Sequence, residues 1–128
     1  MSPLFRKSPE KRAAQAAAQA EITRLKALGP DALAVLVAPA LGTDGVAKGQ
    51  SVRVQQLVDD LMRDFPGAGM VINLQLMAAV NAALERLHDA ALVERISLQR
   101  SPVYRITALG SQALAAGDIE QRLRGRGP

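Results

Sequence analysis

Residues 83–95 read ALERLHDAALVER, and they are the most informative part of the chain about its fold class. Leu84, Leu87 and Ala91 are spaced by three and four residues, as on one apolar face of a helix. From Leu92 to Leu98 the pattern changes to that of a short strand. The stretch therefore predicts a long helix that runs directly into a strand.

A second strand-like run, Val103 to Thr107, follows the four residues QRSP at positions 99–102. Together the two runs predict a β-hairpin over residues 92–107. Thr107 is a suitable N-cap for a last helix, Ala108 to Ala116, which the next glycine can end. Residues 121–128 are rich in arginine and are expected to form a basic flexible tail.

Three helices are predicted upstream of this unit. The first, within residues 1–30, is Ala-rich and basic, and a Gly-Pro pair ends it. Asp31 can cap a second helix over residues 31–41 that is apolar nearly all round and should be buried. The third, over residues 54–65, has strongly periodic apolar positions. Residues 70–76 alternate in polarity, which fits either an extended strand or the start of the next helix.

The order helix, helix, turn, helix and hairpin is that of a winged helix-turn-helix. Residues 83–95 resemble the segment between the recognition helix and the wing in PadR-like and MarR-like bacterial regulators. Residues 104–110, YRITALG, resemble the second wing strand and the start of the following helix, and the resemblance covers about residues 54–116. It implies a mainly α fold with a small β-hairpin, in which a winged-helix domain over residues 31–120 follows the N-terminal helix.

The chain departs from these families at two positions. They usually carry glycine where Ala91 stands, so the turn from helix to strand must avoid or tolerate a positive φ. Asn81 occupies the position where PadR-like proteins commonly carry a tyrosine on the recognition helix.

The formal net charge of +4 at pH 7 belongs to the two ends of the chain. Residues 1–30 have a net charge of +4 and residues 122–128 a net charge of +3, whereas residues 31–121 have a net charge of −3. The high isoelectric point, about 10.1, is therefore weak support for nucleic-acid binding.

Composition excludes several chemistries. With no cysteine and one histidine, His88, the chain has neither a thiol nucleophile nor the ligands of a multi-histidine metal centre. The lack of cysteine fits a reducing cytoplasm, and no segment reads as a signal peptide or a membrane span. No residue set supports catalysis, so we expect neither an enzyme nor a cofactor.

The resemblance implies a transcriptional regulator that binds double-stranded DNA through helix 76–90 and wing 92–107, with a homodimer as the expected assembly. Arg95 and Arg105 are expected to share the exposed face of the hairpin, with Arg100 at its tip. The base-contact candidates on the helix are Asn73, Gln75, Asn81 and Arg86. The other candidates, for phosphate contacts, are Lys48, Arg53, Arg6, Lys7, Lys11 and Arg12.

The alternative is a winged-helix module that binds a protein and no DNA. Each polar or basic candidate can equally be an ordinary solvated side chain. The first half of the recognition helix carries Ala, Asn and Gln in place of Arg and Lys, and the middle of the chain is acidic. An apolar patch over Val71, Met77 and Ala78 would favour this alternative.

Overall fold

A computed structural model describes residues 9–67, 69–98 and 101–125. These residues form a mainly helical fold with a small antiparallel sheet, which confirms the coarse prediction. In chain order the elements are α1 (Pro9–Ala27), α2 (Gly29–Leu41), β1 (Val52–Arg53), α3 (Val54–Leu61), α4 (Gly69–Asp89), β2 (Val93–Leu98), β3 (Ser101–Ile106), α5 (Ala108–Ala116) and α6 (Ile119–Arg124).

A single hydrophobic core joins the helices from both ends of the chain. Ile22 of α1, Leu33 of α2, Leu57 of α3, Leu84 of α4 and Leu123 of α6 all lie in it, and each is at most 1% exposed. Full burial of one such side chain stabilises the fold by about 1.5–3 kcal/mol. The basic N-terminal helix therefore packs into the same core as the predicted domain 31–120.

The predicted tail from residue 121 is wrong for residues 121–124. They belong to α6, which packs against α2 and buries Ile119 and Leu123. The arginine-rich composition hid this short helix, because its two apolar residues are only one turn apart.

Two predicted helix boundaries also change. Asp31 does not cap α2, because the helix begins two residues earlier and Asp31 lies in its first turn. The third helix ends at Leu61 and not at Phe65, and Met62 to Asp64 form a turn. The residue before a proline is disfavoured in the helical conformation, so Pro66 keeps Phe65 out of the helix.

Residues 70–76 are helical, which resolves the ambiguity in their pattern. They form the first part of α4, a helix of 21 residues. Its buried positions follow helical spacing and are Leu76, Val80, Ala83, Leu84 and Leu87. The alternating pattern was misleading because most of the apolar residues before Leu76 are not buried.

The sheet has the strand order β1-β3-β2, and both pairs are antiparallel. The predicted hairpin is present as β2 and β3, from the Val93–Ile106 pair to the Leu98–Ser101 pair. The two-residue strand β1 was not predicted, since a strand of this length shows no periodicity in the sequence. It pairs Val52 with Tyr104 and so ties the start of α3 to the hairpin.

The turn from α4 into β2 does contain a positive φ, at the position where the resembling families usually carry glycine. Ala91 has a φ of +62°. The backbone N–H of Leu92 donates to the Leu87 carbonyl at 2.9 Å, and that of Ala91 donates to the His88 carbonyl at 2.9 Å. These two bonds form a Schellman motif, a helix ending that usually carries glycine at the position of Ala91.

Thr107 and Gly117 delimit α5 as predicted. The Thr107 hydroxyl accepts the backbone N–H of Gly110 at 3.0 Å and donates to the Ala91 carbonyl at 2.8 Å. One side chain therefore caps α5 and holds the end of α4 beside it.

Candidate binding surface

The first half of α4 presents an apolar surface to solvent. Met70 is 75% exposed, Val71 77% and Leu74 52%, and Ala78 is also exposed. These four residues lie on one side of the helix and are called the α4 face below. The α4 face contains no charged side chain, which is unusual for a solvent-facing helical surface.

The α4 face lies between α1 and α3. On one side the Gln75 and Gln19 amides exchange two hydrogen bonds, of 2.9 and 3.1 Å, and so link α4 to α1. On the other side Asn73 Nδ2 lies 3.5 Å from Asp59 Oδ1 of α3, while Asn73 Oδ1 is buried without a hydrogen-bond partner among the described residues. Asn73 and Gln75, predicted as base contacts, thus face neighbouring helices.

Asn81, Glu85, Arg95 and Tyr104 form a polar network between α4 and the hairpin. The Tyr104 hydroxyl lies 2.8 Å from Glu85 Oε2 and 3.1 Å from Asn81 Oδ1, and Arg95 Nη1 donates to Glu85 Oε1. Asn81 therefore lies beside the Tyr104 hydroxyl at the edge of this network.

The network shifts three pKa values, and the hydrogen bond to Glu85 raises that of Arg95. Burial, followed by the hydrogen bond and negative charge of Glu85, raises the pKa of Tyr104 to about 12. For Glu85 the largest influence is desolvation, which raises the pKa, but hydrogen bonds from Tyr104 and Arg95 outweigh it and the pKa is lowered. The neutral phenol and the charged carboxylate therefore hold the hairpin onto α4 together.

The expectation that Arg95 and Arg105 share one face of the hairpin is wrong. Arg95 pairs with Tyr104 across the strands, whereas Arg105 pairs with Glu94, and residues directly opposite each other share a face. The two arginines thus point to opposite faces. Apolar residues, among them Val93 and Val103, occur on both faces of the hairpin. The alternation of polar and apolar residues alone therefore did not determine the register.

The described hairpin arginines and Arg86 all have carboxylate partners. Arg95 pairs with Glu85, Arg105 with Glu94, and Arg86 Nε with Asp31 Oδ1 at 2.6 Å. These ion pairs are partly exposed, and each is worth about 0–1 kcal/mol, so a phosphate could displace the carboxylate. The carboxylate would nevertheless remain close by, and the local charge is near zero.

The remaining predicted cations are scattered over the surface. Lys11 and Arg12 lie in the first turn of α1, Lys48 lies in the loop before β1, and Arg53 ends β1; all four are exposed. Arg6, Lys7 and Arg100 lie outside the described residues. The structure therefore brings no cluster of the described basic candidates to the α4 face.

A cleft of about 480 Å³ opens where α4, the start of α3 and the start of β3 meet. Its lining is apolar at four positions and polar at four: Val54, Met77, Ala78 and Pro102, and Arg53, Gln55, Asn81 and Ser101. Ala78 belongs to both this cleft and the α4 face, so the two surfaces are continuous.

No protein-family model matches the chain, and neither the curated proteins nor the solved structures contain a match. Across the described segments, no helix combines the length and apolarity needed to cross a membrane. The same residues contain no group of three or more His, Asp or Glu side chains that could hold a metal ion.

Two main members of this surface, Met70 and Leu74, were not among the residues predicted from the sequence. Of the predicted patch, Val71 and Ala78 are exposed, but Met77 is partly buried against the core. Met70 and Leu74 were not singled out, although both lie opposite the buried side of α4 at helical spacing. A helical reading of residues 70–76 would have placed them on the exposed side.

Proposed function

We propose that this chain is a winged-helix module that binds another protein through the α4 face. The observation that carries the proposal is the exposure of Met70, Val71 and Leu74 side by side on one helix. Contiguous exposed apolar residues of this kind mark protein contacts, because covering them removes apolar surface from water. In helix-turn-helix proteins the second helix of the motif is the one that contacts DNA, and the resemblance described above would give α4 that position.

Electrostatics favours a protein over duplex DNA as the partner. Phosphate contacts supply much of the affinity for DNA, and they require Lys or Arg beside the recognition helix. The α4 face contributes none. Its neighbour α3 carries Asp59 and Asp60, and Asp64 lies in the turn that follows. The described hairpin arginines are neutralised by carboxylates. DNA binding, regulation of transcription, a homodimer and a cytoplasmic location stay predictions.

A photo-crosslinking experiment tests the proposal. p-Benzoylphenylalanine placed at Val71 should form an adduct with a distinct protein in cells that naturally contain this chain. The same group at Val46, which is 47% exposed outside the α4 face, is the control. The double variant Val71→Ser/Leu74→Ser should then weaken binding of the purified partner at least tenfold, whereas Leu36→Ser at another exposed apolar site should not.

Three results would contradict the proposal. These are adducts of equal yield from positions 71 and 46, adducts only between copies of this chain, or an unchanged affinity in the double variant. A fluorescence anisotropy titration with mixed duplex DNA at low salt provides the independent comparison. Binding tighter than about 100 µM that disappears on charge reversal of Arg53 and Lys48 would favour the DNA hypothesis instead.

A further inference from the structure

We infer that the cleft beside the α4 face selects partner segments in which an acidic side chain lies close to a large apolar one. This inference rests on the proposed function and specifies the chemistry of the partner. The cleft adjoins the α4 face at Ala78, so a protein segment lying on that face reaches the cleft without leaving the surface.

Arg53 and Ser101 supply hydrogen-bond donors to the cleft, whereas Gln55 donates its amide N–H to Asp59 and presents its carbonyl oxygen. Arg53 is exposed at the end of β1 and has no carboxylate partner among the described residues. The Ser101 hydroxyl adds a second donor to the lining.

Donors of this kind match a carboxylate. A guanidinium group holds a carboxylate with two parallel hydrogen bonds, and a hydroxyl donor can add a further one. Among the residues that the structure describes, no acidic side chain lines the cleft, and Arg53 is its one charged residue. A basic segment would therefore leave Arg53 opposed by a like charge.

The apolar part of the cleft specifies the neighbouring side chain. Val54, Met77 and Pro102 give it an aliphatic lining, and Met77 is an adaptable side chain that can pack against different shapes. The volume of about 480 Å³ lies within the range of small binding pockets, so it can take one large side chain together with the carboxylate.

Selection from a phage-displayed library of random 12-residue peptides, with the full chain as the bait, tests the inference. The selected peptides should be enriched in Asp or Glu within three positions of Leu, Ile, Met or Phe. A selected peptide, synthesised with blocked ends and a fluorophore, should bind about tenfold more weakly to Arg53→Ala, because a charge-assisted contact is lost. Arg12→Ala, an exposed arginine of α1, is the matched control and should leave the affinity unchanged.

Charge exchange gives a second readout. Arg53→Glu should lose the acidic peptide and gain affinity for the same peptide with its acidic residue replaced by lysine. Selected peptides without acidic enrichment, no selected peptide that binds more tightly than about 100 µM, or equal affinities of Arg53→Ala and the parent chain would each overturn the inference. If Leu74→Ser weakens peptide binding while Arg53→Ala does not, the inference fails and the proposed function stands. If neither variant weakens it, both fail.

Discussion

Replacement of Ala91 by glycine should stabilise the fold. Ala91 has a φ of +62° at the Schellman ending of α4, where an L side chain crowds the backbone. The left-handed conformation costs a residue with a Cβ atom about 1–2 kcal/mol. Glycine removes this cost but loses about 0.4–1 kcal/mol through the greater freedom of the unfolded chain. Ala91 is exposed, so its methyl group contributes little packing.

The expected net gain is therefore about 0.5–1 kcal/mol in the free energy of unfolding. For a chain of 128 residues this corresponds to a rise in Tm of about 2–4 °C. Urea denaturation followed by circular dichroism measures the free energy, and the unchanged slope with denaturant would show that the gain is one of stability alone.

Two control variants isolate the backbone effect. Gly117→Ala makes the opposite change at the ending of α5, where φ is +70° and no atom lies within 4 Å of the added Cβ; it should cost about 1 kcal/mol. Ala17→Gly, at an exposed position inside α1, should also cost about 1 kcal/mol. A loss of stability in Ala91→Gly of the same size as in Ala17→Gly would refute the reasoning, because position 91 would then behave as ordinary helix.

Three further predictions concern packing and the polar network. Gly110→Ala should destabilise the fold by about 2 kcal/mol or more in urea denaturation, because its Cβ would lie 2.0 Å from the Leu92 carbonyl oxygen. Leu123→Ala should lower the free energy of unfolding by about 2–5 kcal/mol in the same assay, because Leu123 is buried in the core. A loss below about 0.5 kcal/mol would support the predicted flexible tail instead. Tyr104 is the only tyrosine, so absorbance at the tyrosinate band should give a midpoint near pH 12, and Glu85→Gln should lower that midpoint by about one unit. Since folding raises the pKa of Tyr104, the stabilisation that its neutral phenol provides is complete below about pH 10 and is lost as the pH rises toward 12.

Local sequence signals determined the helix-to-strand connection and the ends of α5. Thr107 and Gly117 act through hydrogen bonds and φ values within a few residues of themselves, so their roles follow from residue type and position. The departure at Ala91 was equally local, because the turn geometry requires a positive φ whatever packs around it.

Tertiary structure alone decided which side chains remain available for a partner. Helical periodicity shows that Met70 and Leu74 share a face, but only the positions of α1 and α3 leave that face uncovered. Likewise, Asp31 lies 55 positions before Arg86, and no local pattern links the two. Residue type and order thus predicted the longer helices, the hairpin and the distribution of charge along the chain, but neither β1 nor α6. Packing between distant segments neutralised the arginines and left the apolar helix exposed, because such contacts depend on how elements meet in space.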